Sequence, residues 1–130
     1  MFTIEQIKLA HSKVKSGADF PNYIQDLYKL GIIYYTTYVN DGHTDYLGQN
    51  NFIVSTDSVA KKLFIADSSD GNQFKIDLKA HQAGKTDYVI FCNDCAKSGI
   101  EKWVVDLIKM TCTYYDKAEN IVMVETIPTP

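Results

Sequence analysis

Six side chains in this sequence are able to grip a small ligand or move its protons: Tyr35, Tyr38, His43, Tyr46, His81 and Asp87. A phenol offers an apolar ring face with a hydroxyl at its tip, and a histidine near a carboxylate can hold or pass a proton around neutral pH. Brought together, they would line one pocket, with the tyrosines as walls and His43, His81 and Asp87 as its polar groups. General-base work further requires hydrogen-bond reach to a substrate proton, which spacing along the chain does not establish. The competing reading gives the tyrosines to cross-strand packing and the turn-borne polar residues to solvation and local hydrogen bonding.

Cys92-Asn93-Asp94-Cys95 is the sharpest motif. As half of a zinc site it needs two more ligands, which Cys112 with His81 or His43 would supply. As a redox pair it needs a strand-helix-strand setting, with the first Cys at a helix start. The sequence has no second such pair, and helical phase places Cys92 in mid-helix beside Phe91. A free Cys behaves as a small buried hydrophobe, so core packing is the favoured reading, with Cys92, Cys95 and Cys112 as a minor metal alternative. No cofactor is expected. Asp106, inside Lys102-Trp103-Val104-Val105-Asp106-Leu107-Ile108, falls on the strand face opposite Trp103, Val105 and Leu107, so it is expected to point outward. His11 lies on an apolar helical stripe, where a core or boundary role is expected. Nucleophile-elbow, P-loop, dinucleotide and HExxH signatures are all missing.

The composition narrows the class. At 130 residues with a net charge of −3, the chain fits a single domain, 1–130, large enough to bury a core. All 13 basic residues are Lys, so the bidentate Arg forks common at phosphate and guanine sites do not occur, and no nucleic-acid partner is expected. No apolar run approaches the ~20 residues that span a bilayer, and the charged N-terminus lacks a signal-peptide core, so no membrane partner is expected either. Three Cys suit a reducing cytoplasm.

The elements that must position these residues follow from periodicity. Thr3 and Gln6 form a capping box ahead of a helix striped by Ile4, Ile7, His11 and Val14 and ended by Gly17. Phe20, Tyr23, Ile24 and Leu27 mark a second helix, with Pro21 in its first turn and Gly31 as C-cap. Strands are predicted over Ile32–Val39 and His43–Gly48, around the Asn40-Asp41-Gly42 turn, and over Phe52–Ser55. Ser58 to Lys62 reads as a short turn, Leu63 to Ala66 as a brief strand, and Asp67 to Asn72 as a loop. Gln73 to Ala83 fits strand and helix periods alike; its helix-favouring end decides for helix, capped by Asn72 and ended by Gly84. A fourth helix, capped by Thr86 or Asp87, carries Tyr88, Phe91, Cys92 and Cys95. Gly99 to Pro128 reads as a long β-hairpin. Its apolar phase flips between Leu107 and Met110, which demands a bulge, bend or tight turn near Ile108-Lys109. No internal repeat is expected; Thr-Asp-Tyr at 44–46 and 86–88 is too short to signal one. The fold class is α+β, a mainly antiparallel sheet with helices on one face, an N-terminal helical pair and a C-terminal hairpin.

Several runs carry a family resemblance: Gly31-Ile32, Asp41-Gly42 and Tyr46-Leu47-Gly48, then His81 to Tyr88, then Gly99 to Asp106, Met110 to Asp116 and Glu125 to Pro128. Together they resemble the YbcV-like family of small bacterial proteins, also found in lambdoid prophage and sometimes labelled phage envelope protein. The resemblance spans nearly the whole chain. It implies one α+β domain and a mobile-element origin, and it carries over no catalytic residue or cofactor. The function expected is therefore a non-enzymatic binding or interaction protein, with a protein or small-molecule partner and self-association through an aromatic surface. The alternative is a small enzyme or ligand-binding domain with a Tyr/His-lined pocket.

Overall fold

In the computed structural model, which describes residues 1–15, 17–58 and 62–129, helix α1 (Ile4–His11) starts on the expected capping box. The Gln6 N–H donates to Thr3 Oγ1 at 3.2 Å, and the Thr3 N–H donates to Gln6 Oε1 at 2.9 Å. The helix stops at Ser12 rather than at Gly17. Lys13 and Val14 donate instead to Ala10 and His11, three residues back, and this tightening ends the helix. Helix α2 (Phe20–Lys29) carries Pro21 in its first turn and buries Tyr23, Ile24 and Leu27.

A meander follows: β1 (Ile32–Tyr38), β2 (Thr44–Gly48) and β3 (Ile53–Ser55). The Leu63 to Ala66 segment is not a strand. Its Leu63 and Ala66 N–H groups donate to the Asn40 and Ala96 carbonyls, which belong to a turn and a helix end and not to a sheet neighbour. Most of the turn expected at Ser58 to Lys62 lies outside the described residues. Helix α3 (Gly71–Gln82) confirms the helical choice, although Asp70 caps it instead of Asn72. Helix α4 (Tyr88–Lys97) is capped by Asp87. The C-terminal stretch is a meander of β4 (Lys102–Asp106), β5 (Thr111–Tyr115) and β6 (Ile121–Thr126), whose last two strands are the expected C-terminal hairpin. The phase flip is resolved by a tight turn over residues 107–110, where Met110 takes φ +55°. Asp106 points outward as expected, and its Oδ1 accepts the Ile108 and Lys109 N–H groups, both at 2.9 Å.

The six strands form one antiparallel sheet in the order β3-β2-β1-β4-β5-β6. All four helices lie on the same face. Tyr35, Tyr46, Trp103, Val105 and Tyr114 point into the core beneath them. A bulge between Ile32 and Tyr34 turns Ile32 into that core as well. The opposite face carries no helix among the described residues and leaves Tyr34, Ile53 and Val124 exposed. No helix among the described residues is long and apolar enough to cross a membrane.

The order α-α-β-β-β occurs twice, which overturns the expectation of no repeat. Phe20–Lys29 and Tyr88–Lys97 are both ten-residue helices at a constant offset of 68 (20 to 88, 29 to 97). At that offset Asp19, Asp26, Lys29, Gly31, Ile32 and Tyr46 meet the same residue types at Asp87, Asp94, Lys97, Gly99, Ile100 and Tyr114. The cross-strand pair Tyr35–Tyr46 recurs as Trp103–Tyr114. β1 and β4 join the halves, and the pair at the centre of their ladder, Thr36–Val104, is itself 68 apart. A pseudo-twofold axis therefore passes through that pair. The repeat escapes the sequence because its two first helices differ in length, eight residues against twelve, and the identities are scattered.

Candidate functional site

The two halves fill their helix–sheet layer differently. In the C-terminal half, Phe74 of α3 sits 4.7 Å from the Tyr114 ring and 6.4 Å from Phe91, while Trp103 lies 5.8 Å from Phe91 and 6.2 Å from Tyr114 (centroid distances). These rings pack directly against one another. In the N-terminal half the equivalent places hold smaller or more polar side chains. Ile7, four residues after its N-cap, stands where Phe74 does, His11 stands where Leu78 does, and Tyr23 replaces Phe91. Between α1, α2, β2 and the start of α4, on the N-terminal half, lies a cleft of about 630 Å³.

Its walls come from α1 (Ile7, Lys8, His11) and from Tyr23 of α2, its floor from Thr44 and Tyr46 of β2. Tyr88 stands at the mouth, half exposed, with its hydroxyl against the Cys92 thiol. The His11 and Tyr23 rings meet edge to face at 5.4 Å. The hydroxyls of Tyr23 and Tyr46 face each other, and burial pushes both phenols above their ordinary range, with their mutual interaction raising Tyr23 further. At neutral pH they are therefore protonated hydroxyls, able to donate a hydrogen bond and poorly suited to act as bases. The cleft's size is that of an ordinary small-molecule site.

The six residues singled out in the sequence do not converge. Tyr46 lines the cleft. Tyr35 lies behind it in the core, with its ring 5.4 Å from that of Tyr46. Tyr38 and His43 stack at 4.4 Å on the helix-free side, away from the cleft. His43 Nδ1 is 2.6 Å from Asp41 Oδ1, and since an ionised carboxylate only accepts, the ring nitrogen is the donor. Burial raises the Asp41 carboxyl, but hydrogen bonds from the His43 ring and backbone and from Ser58 outweigh it, and the net shift is downward. His81 stacks on Phe91 at 4.4 Å between α3 and α4, and its Nδ1 approaches the Thr86 carbonyl and hydroxyl oxygens. Asp87 uses its carboxylate to cap α4. A shared acid–base set of His43, His81 and Asp87 is thus ruled out by the sheet, which stands between the two histidines. Lys8, His11, Tyr23 and Tyr88 are the lining residues that sequence reasoning passed over; helical stripes cannot tell a core position from a cleft wall.

Cys95 and Cys112 are buried and Cys92 half-buried, all three as free thiols. Burial pushes the Cys112 thiol up to about 12 and raises Cys92 and Cys95 as well, so at neutral pH all three are protonated and poor nucleophiles. Among the described residues no three His, Cys, Asp or Glu side chains are grouped to hold a metal ion.

A comparison with curated proteins returns no match. A family described as "Protein of unknown function (DUF1398)" matches residues 8–126, from the middle of α1 to the end of β6, and so spans both halves of the repeat. The chain belongs to that family.

Proposed function

We propose that this protein is a non-enzymatic binding protein that holds a small, largely apolar ligand in the α1–α2–β2 cleft. The observation that carries this reading is the cleft itself, walled by Ile7, His11, Tyr23 and Tyr46, where the equivalent places of the C-terminal half hold the packed rings of Phe74 and Phe91. Neutral, buried phenols suit recognition better than proton transfer, which favours binding over catalysis. The three free thiols support a reducing, cytoplasmic setting. A prophage origin belongs to the same reading and is supported by the Gly99–Asp106 and Glu125–Pro128 runs.

The test uses Ile7→Phe, which restores in the N-terminal half the residue type that fills the C-terminal one. The uncharged fluorescent probe N-phenyl-1-naphthylamine is expected to bind the unaltered protein and to bind the folded variant several-fold more weakly, because the larger ring intrudes on one wall of the cleft. Equal binding by both proteins, with the variant folded, would sink the proposal.

A second reading rests on a separate observation: the helix-free face exposes Tyr34, Ile53 and Val124. There the sheet is a self-association surface, since apolar residues left on an uncovered face, here from one edge strand to the other, gain from burial against a second copy. Sedimentation velocity should give a dimer that Ile53→Glu with Val124→Glu converts to monomer. A monomer at all concentrations before substitution refutes it.

A further inference from the structure

The cleft's charge is opposite to that of the chain as a whole. The chain carries 16 acidic against 13 basic residues, yet the lining includes Lys8 and His11 and no carboxylate. Asp41, next in sequence to the lining Gly42, is engaged elsewhere. Its Oδ1 receives the His43 ring and backbone N–H, and its Oδ2 receives the Ser58 hydroxyl at 2.9 Å. Hydroxyl donors complete the set: Thr56 at the rim, whose oxygen accepts from the Thr44 N–H, and the protonated Tyr46 on the floor, while the Ser12 hydroxyl is engaged by the Leu9 carbonyl and that of Thr44 by Thr37. An anion entering here meets a cation and the Thr56 and Tyr46 O–H groups, whereas a cation finds no charge of opposite sign among the lining residues. Ile4, Ile7 and the tyrosine rings supply the apolar remainder.

We infer that the ligand is a small organic anion with an aromatic or branched apolar body, its charged head at the Lys8 end of the cleft. This rests on the cleft being a ligand site. Lys8 and His11 also stand in the last turn of α1, where a positive charge complements the helix dipole. That effect acts on stability and is indifferent to a ligand's charge, so a pair of matched probes separates the two roles.

The probes are 8-anilinonaphthalene-1-sulfonate and N-phenyl-1-naphthylamine, which share their rings and differ by the sulfonate. They are titrated into the full chain and into Lys8→Gln, Lys8→Arg and Ile7→Phe. The expected result is that Lys8→Gln weakens the anionic probe about tenfold, that Lys8→Arg restores it, and that the neutral probe changes less than about twofold throughout that pair. Raised salt weakens the anionic probe alone. If Ile7→Phe weakens both probes but Lys8→Gln leaves the anionic one unchanged, the charge inference is overturned and the cleft reading stands. If Ile7→Phe, folded, leaves both probes bound as tightly as before, the cleft reading fails and takes this inference with it.

Discussion

Replacing Phe74 by Ala is expected to destabilise the protein by about 3–5 kcal/mol, the usual cost of deleting a buried aromatic side chain and leaving its cavity. Phe74 is 0% exposed and its ring touches both Phe91 and Tyr114. It locks α3 to α4 and to β5 at once. Against a typical total of about 5–15 kcal/mol, a loss of that size removes a large share of the folding free energy. Urea denaturation followed by far-UV circular dichroism measures it as a lower midpoint at unchanged slope. The equivalent truncation in the other half, Ile7→Ala, is expected to cost distinctly less, because Ile7 already borders an open cleft and fewer atoms lose partners. Equal losses at the two positions would show that the halves are packed alike, contrary to the contrast on which the ligand site rests.

The second large effect is at Gly99, where Ala is expected to cost about 3–5 kcal/mol, combining a strained backbone with a steric conflict. Gly99 has φ +78°, and a Cβ built there would lie 2.6 Å from the Ser68 carbonyl oxygen and 2.9 Å from the Ser69 Cα, both backbone atoms with little freedom to move. The loop from Ser68 to Asp70 is pinned against this position by the Asp70 N–H bond to the Ser98 carbonyl at 2.9 Å. Its repeat partner provides an internal control. Gly31 has φ +100°, but nothing lies within 4 Å of a Cβ there, so Gly31→Ala carries only the conformational strain, about 1–2 kcal/mol. Paired denaturation curves decide it: two variants with the same midpoint would mean that the Ser68 backbone yields and that close approach is not what requires Gly99.

Both predictions draw on the same arrangement. The C-terminal half holds a cluster of mutually packed aromatic rings and a close backbone crossing at Gly99. The N-terminal half repeats its plan with Ile7, His11 and Tyr23 in place of larger or less polar side chains. A repeat that is rigid on one side and open on the other can carry a recognition site without a large loss of stability, because the filled half and the shared sheet still hold the fold. The cleft is also bounded by Tyr88 from the second half, so it depends on the two repeats being joined through β1 and β4.

Local physical chemistry made much of the architecture legible in the sequence. The Thr3–Gln6 capping box, Pro21 in a first turn, Gly31 and Gly99 past helix ends and the Asn40-Asp41-Gly42 turn each act within a few residues, and the structure keeps all of them. The phase flip between Leu107 and Met110 also lies within one strand pair, and a tight turn resolves it. Tertiary structure decided what depends on relations across the sheet. Alternation along a strand assigns residues to two faces without saying which face a helix will cover, and so Tyr35 and Tyr46 went to the core side while Tyr38 and His43 went to the other. The duplication is a matter of register and helix length, scattered over 68 positions, and only the pairing of Thr36 with Val104 makes it visible. The cleft belongs to the same class. It lies between α1, α2, β2 and the start of α4, and a void of that kind is a property of packing between distant elements and not of any one segment.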